Sequence, residues 1–159
     1  MRTNIGASLV AGLIAGVLFG IMMHLMTAPT PDGGRMPVIA MVGQIVGSPT
    51  VTAGWLYHLV NSAVIGAIFG WLVAPRVRGY GSGFTWGAAY GFAWWILGGL
   101  VLMPVLLGMP AFAPLVMPEM QMVAMGSLVG HLVYGLVLGA AFVMLVRGAP
   151  VTVASGRPT

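Results

Sequence analysis

Gly12-x3-Gly16-x3-Gly20-x3-His24 runs through the first apolar stretch, a small residue at every fourth position, and ends in a histidine. The pattern returns as His58-x3-Ser62-x3-Gly66-x3-Gly70 and as Ser127-x3-His131-x3-Gly135-x3-Gly139. A fourth line, Gly83-x3-Gly87-x3-Gly91, carries no histidine. A spacing of four places each set on one face of a helix. Small residues so spaced let helix backbones approach closely in lipid.

Composition gives the surroundings. The chain has 159 residues, 59% hydrophobic and 5% charged, with a mean hydropathy of +1.03. A soluble domain carries about 25% charged residues. This chain has too little polar side-chain surface to cover a core in water, so it reads as a membrane protein. Four apolar runs, 5–28, 51–74, 83–107 and 121–146, stand out. Each reaches the ~20 residues that cross hydrocarbon as a helix. The first follows Arg2, but its apolar core exceeds the ~7–15 residues of a signal segment and no A-x-A site follows, so it is expected to be retained. The expected fold is all-α: a four-helix transmembrane bundle forming one domain over 1–148, then a short polar tail, 149–159.

Orientation follows from arginine. Arg2, Arg76, Arg78, Arg147 and Arg157 fall at the N-terminus, the 75–82 loop and the C-terminus, which share one side if four helices cross. The positive-inside rule puts that side, with both termini, in the cytoplasm of a bacterial inner membrane. Loops near 29–50 and 104–120 then face outward. They hold eight of the eleven prolines, yet are apolar, as in Val38-Ile39-Ala40-Met41-Val42, so short interfacial helices are expected there. Trp55, Trp71 and Trp86 fall near helix ends, where interfacial anchors sit.

The chain reads as a duplication, with repeat 1 over 5–74 and repeat 2 over 83–146. His58 through Val73 matches His131 through Val146, including Gly66 with Gly139 and Phe69 with Phe142. Gly12, Gly16 and Pro29 match Gly87, Gly91 and Pro104 at a nearby offset. Each half is then helix, proline-rich outer loop, helix, and the two are related by an axis along the membrane normal.

Met103-Pro104-x3-Gly108-Met109-Pro110, followed by Gly130-His131-Leu132-Val133-Tyr134, resembles the second half of YagU-like bacterial inner-membrane proteins. Those pair a Pro-Gly-Pro outer loop with a G-H-L-V motif opening the last helix. The resemblance spans roughly 85–135. It implies a multi-span inner-membrane protein and no settled biochemical activity.

Chemistry-bearing residues are few. His24, His58 and His131 share a leaflet, and ionisable groups within spans usually face the bundle. One reading is structural: an imidazole bridging to a carbonyl, or to Asn61, Ser62 or Tyr134, as polar groups often join helices in lipid. A second is metal or haem. Eleven of thirteen methionines lie on the outward side, and Met22-Met23-His24-x-Met26 is the densest cluster. Thioether and imidazole without thiolate suit copper(I). Histidines on facing helices with glycine between them suit a non-covalent haem. A third reading is a small transporter or channel, resting on histidine alone because the helix interiors hold no carboxylate.

Other classes are excluded or unsupported. There is no cysteine, hence no disulfide or thiolate site. Six scattered arginines and a net charge of +4 make no nucleic-acid surface. No carboxylate pair, H-E-x-x-H or G-x-S-x-G is present, so an enzyme is not expected. The expected role is a non-catalytic accessory or packing subunit, or a homo-oligomer, meeting lipid and other membrane subunits through surplus glycine faces such as Gly12–Gly20 and Gly83–Gly91.

Overall fold

Asn4 opens the first helix, its Oδ1 accepting the Ala7 N–H at 3.0 Å, and α1 runs Ile5–Leu25. The structure, a computed structural model, describes residues 3–30 and 32–148. Arg2, Arg157 and the expected tail lie outside the described residues.

After α1 the chain forms a small antiparallel hairpin. Strand β1 (Thr27–Pro29) pairs with β2 (Arg35–Pro37), Ala28 opposite Met36. Entry into this strand ends α1 at Leu25 instead of 28. Helix α2 (Val38–Gly43) follows and is buried throughout. Thr50 then caps α3 (Val51–Leu72), its Oγ1 accepting the Ala53 N–H at 3.2 Å. A tight turn leads to α4 (Tyr80–Trp94). Ser82 Oγ accepts the Arg78 and Gly79 N–H groups at 2.7 and 3.0 Å, which starts α4 ahead of the expected position 83. The helix continues without a break as a π-helical segment, Trp95–Leu102, and ends in α5 (Met103–Leu106). A second short helix, α6 (Ala113–Val116), precedes the long α7 (Gln121–Gly148).

Four helices, α1, α3, the run Tyr80–Leu106 and the run ending at Gly148, are long and apolar enough to cross a membrane. The protein is therefore a mostly helical, multi-pass membrane protein. Its spans pack in the order α3, α1, α7, α4. Outward faces such as Leu56, Val60, Val64 and Trp71 of α3 are exposed and apolar, as contact with lipid requires.

The small-residue lines make the two antiparallel pairs. On α1 and α3, a Cβ at Gly12 would stand 2.5 Å from the Ser62 carbonyl oxygen and 2.8 Å from Gly66 Cα. Gly16 faces Ser62, and Gly70 faces Ser8. On α4 and α7, Gly83 faces Gly139, Gly87 faces Gly135, and Gly91 faces the His131 carbonyl. This corrects one expectation: Gly12–Gly20 and Gly83–Gly91 are not surplus faces for other subunits. Backbones in contact leave no surface to share. Tryptophan divides similarly. Trp71 and Trp86 are exposed near helix ends, while the Trp55 ring lies over Gly20.

The two ends of the bundle differ in charge. Arg76, Arg78 and Arg147 gather at one. Arg147 reaches the Arg78 carbonyl at 3.5 Å and lies over Tyr80, and Arg76 lies over Trp86. Asp32, Arg35 and Glu119 lie at the other, the loop end, with the hairpin, α2 and α6.

Candidate binding cavity

Four side chains cross between the membrane-spanning helices to a backbone carbonyl. His58 Nε2–H donates to Gly16 at 2.9 Å, Tyr134 O–H to Ser62 at 2.8 Å, Tyr90 O–H to Ile65 at 2.7 Å and Trp95 Nε1–H to Ala124 at 3.3 Å. Such bonds hold helices together in lipid at about 0.6–2 kcal/mol each. They tie α3 to α1, α7 to α3, α4 to α3, and the π segment to α7.

The α1·α7 seam is closed by side chains entering the space over glycines. Phe19 occupies the space where a Cβ on Gly130 would stand, and Met26 does the same at Gly126. Between α3 and the Tyr80–Leu106 run, the Tyr90–Ile65 bond and the Phe69–Tyr90 contact, 5.3 Å between centroids, make the connection. Towards the loop end these two spans part around a cavity of about 170 Å³.

Its walls are His58, Asn61 and Ile65 of α3, Phe19 and Met23 of α1, Ser127, His131 and Tyr134 of α7, and Trp94, Gly98 and Gly99 of the α4–π run. Val38, Met41 and Val42 of α2 close it towards the loop end. The Phe112 N–H, donated to the Leu100 carbonyl at 2.6 Å, ties the α6 loop to the π segment beside it. Among the described residues, no Asp, Glu or Arg lines the cavity.

The two histidines that meet it are held differently. His58, buried, donates Nε2–H to the neighbouring helix, with Ser62 Oγ 3.5 Å from the same nitrogen. His131 binds within its own helix: Nδ1–H donates to the Ser127 carbonyl at 2.8 Å. A neutral ring held so keeps its lone pair on Nε2. That nitrogen points towards the π segment, 3.8 Å from where a Cβ on Gly98 would be. Among the described residues no buried side-chain N or O lacks a partner. Nε2 of His131 and Nδ1 of His58 accept no bond among the described residues, and both side chains line the cavity. Asn61, midway along α3 and exposed, also has no hydrogen-bond partner among the described residues.

The structure does not gather the three histidines. His24 is exposed and outside the cavity; its Nδ1 accepts the Trp55 Nε1–H at 3.4 Å. The Trp55 ring stands between His24 and His58, with centroids 6.5 and 6.4 Å away. Phe19 stands between His58 and His131, at 5.5 and 4.8 Å. A haem held by the last two would have to displace Phe19. Of the expected methionines, Met23 and Met26 line the cavity and Met22 does not. No group of three or more His, Cys, Asp or Glu gathers among the described residues.

Asn61, Phe19, Trp94 and the Gly98-Gly99 pair escaped the sequence reading as site residues. The signal was there in Trp94-Trp95 followed by Gly98-Gly99: large rings beside bare backbone in one span. Compared with family models, with curated proteins and with solved structures, the chain finds no match.

Proposed function

We propose that the chain is a binding protein of the membrane, built from two copies of a helix–loop–helix unit, whose cavity holds one small uncharged molecule within the bilayer. The observation that carries this reading is the cavity itself: apolar walls with a few polar groups, Asn61, His58 and His131, converging on it. A dry cavity of about 150 Å³ already accepts benzene, so about 170 Å³ takes a small ring. The absence of charge from its lining, among the described residues, favours an uncharged occupant.

The duplication is supported by matched contacts. Gly12 meets Ser62 and Gly66, and their counterparts Gly87, Gly135 and Gly139 meet likewise. Binding fits the site better than catalysis, because among the described residues no carboxylate lines it and each imidazole is already bonded to a backbone carbonyl. The accessory-subunit reading loses its surplus glycine faces. The arginine end faces the cytoplasm of a bacterial inner membrane, as the positive-inside rule has it. A YagU-like relationship is in keeping with such a protein and adds no activity.

Native mass spectrometry of protein extracted in mild detergent tests the reading. One small organic adduct is expected on the wild type and none on Gly98→Leu, which fills the cavity. A bare mass for wild type, with no response to added small apolar rings, contradicts it.

One observation favours a second reading. Met23, Met26, Met41, Met103, Met109 and Met120 line the same cavity as the two imidazoles, a ligand set suited to copper(I). Metal analysis of protein purified after copper supplementation decides it: one copper per chain supports it, and none removes it.

A further inference from the structure

Resting on the reading of the cavity as a binding site, we infer that its occupant is a neutral phenol or quinol head group, which donates its O–H to Nε2 of His131 and enters sideways from the bilayer between α3 and the π segment.

The hydrogen-bonding groups set the chemistry. His131 is fixed by its Nδ1–H bond to Ser127, so it presents an acceptor. His58, fixed by its bond to Gly16, likewise has only an acceptor left. A partner for such groups must bring a donor. An amide in hydrocarbon with no partner costs several kcal/mol, and Asn61 stands at mid-span without one among the described residues. Its amide both gives and accepts, so it suits a second oxygen on the same molecule.

The walls set the shape. Phe19, Tyr57, Trp94 and Tyr134 offer ring faces and edges, and methionine sulfurs lie among them. Aromatic edges and thioethers both favour a flat ring over an alkyl chain. Gly98 leaves room beside Nε2: a Cβ on it would meet Trp94 and His131 only at 3.7 and 3.8 Å. Carboxylates, phosphates and ammonium groups find no counter-charge among the described lining residues.

The route follows from what is closed. Val38, Met41 and Val42 of α2 are buried across the loop end. The α1·α7 seam is filled by Phe19 and Met26. Asn61 on α3 and Leu102 on the π segment line the cavity and are exposed, one on each side of the remaining gap. That gap faces the hydrocarbon, where a neutral ring dissolves and an ion does not.

The test uses fluorine NMR of 4-fluorophenol and 4-fluorotoluene, near-isosteres that differ in the O–H, with the full chain in nanodiscs and empty nanodiscs as reference. Wild type is expected to bind the phenol about tenfold more tightly than the toluene, the worth of one hydrogen bond formed in apolar surroundings. His131→Phe should erase that preference and keep toluene binding, whereas Gly98→Leu should abolish both. Equal affinities in wild type overturn the donor class and leave the cavity reading standing. Binding of neither probe overturns both. A preference that survives His131→Phe overturns the role of Nε2. Should His131→Phe not fold, wild type labelled with 15N-histidine gives the same answer: phenol must shift one Nε2 resonance that toluene leaves in place, and no such shift refutes the contact.

Discussion

Between the two glycine-lined pairs the bundle has two seams, α1·α7 and α3·α4, and one is shut while the other is not. At α1·α7, Phe19 drops into the space over Gly130 and Met26 into that over Gly126. At α3·α4, the proposed duplication sets Trp94 in the place of Phe19 and Tyr57 in the place of Gly130, and both rings border a cavity. A ring closes a seam only where the facing helix lacks a side chain. Across α3·α4 both positions carry rings in place of a glycine, and Tyr90 ties what contact remains.

Gly130→Leu should break the closed seam and give the largest effect, expelling Phe19 at a cost of about 3 kcal/mol, seen as a lower melting temperature in detergent. An unchanged melting temperature would mean that Phe19 has another place to go. Tyr90→Phe should loosen the open seam by about 0.6–2 kcal/mol, read in the same assay, and a neutral result would mean that the ring alone holds it. Gly98→Ala sharpens the contrast in the other direction. Its Cβ meets only ordinary contacts, so helix propensity should raise stability by up to about 1 kcal/mol.

The smallest effect lies at the loop end. The Thr30 hydroxyl, and then the Gly34 N–H, hold the exposed Asp32 carboxylate below its ordinary pKa. A depressed pKa gives order that is present above the unfolded value of about 3.9 and lost as pH falls through the folded one. Carbon NMR of Asp32 should show a titration midpoint below that of Asp in a peptide. Thr30→Ala should move it back up, and no movement would leave the turn without influence.

Much of this was legible. Apolar runs marked the spans, and glycine and serine at four-residue spacing marked the helix faces that pack closely. They did not say whether a line faces its own chain or another copy, because close approach needs the same residues in either case. The π segment was not legible, since Trp95–Leu102 has a composition that suits an α-helix equally. Nor was the difference between the histidines. His58 and His131 occupy matching positions, yet one rotamer reaches across to Gly16 and the other back to Ser127. Only side-chain direction separates a brace from an open ligand.

That separation is tested most directly by the melting of His58→Leu and His131→Leu, measured side by side in one detergent. His58→Leu is expected to lose about 0.6–2 kcal/mol, the worth of a bond between helices, while His131→Leu stays within error of wild type. Equal losses would make both histidines braces and contradict the assignment of His131 to the cavity.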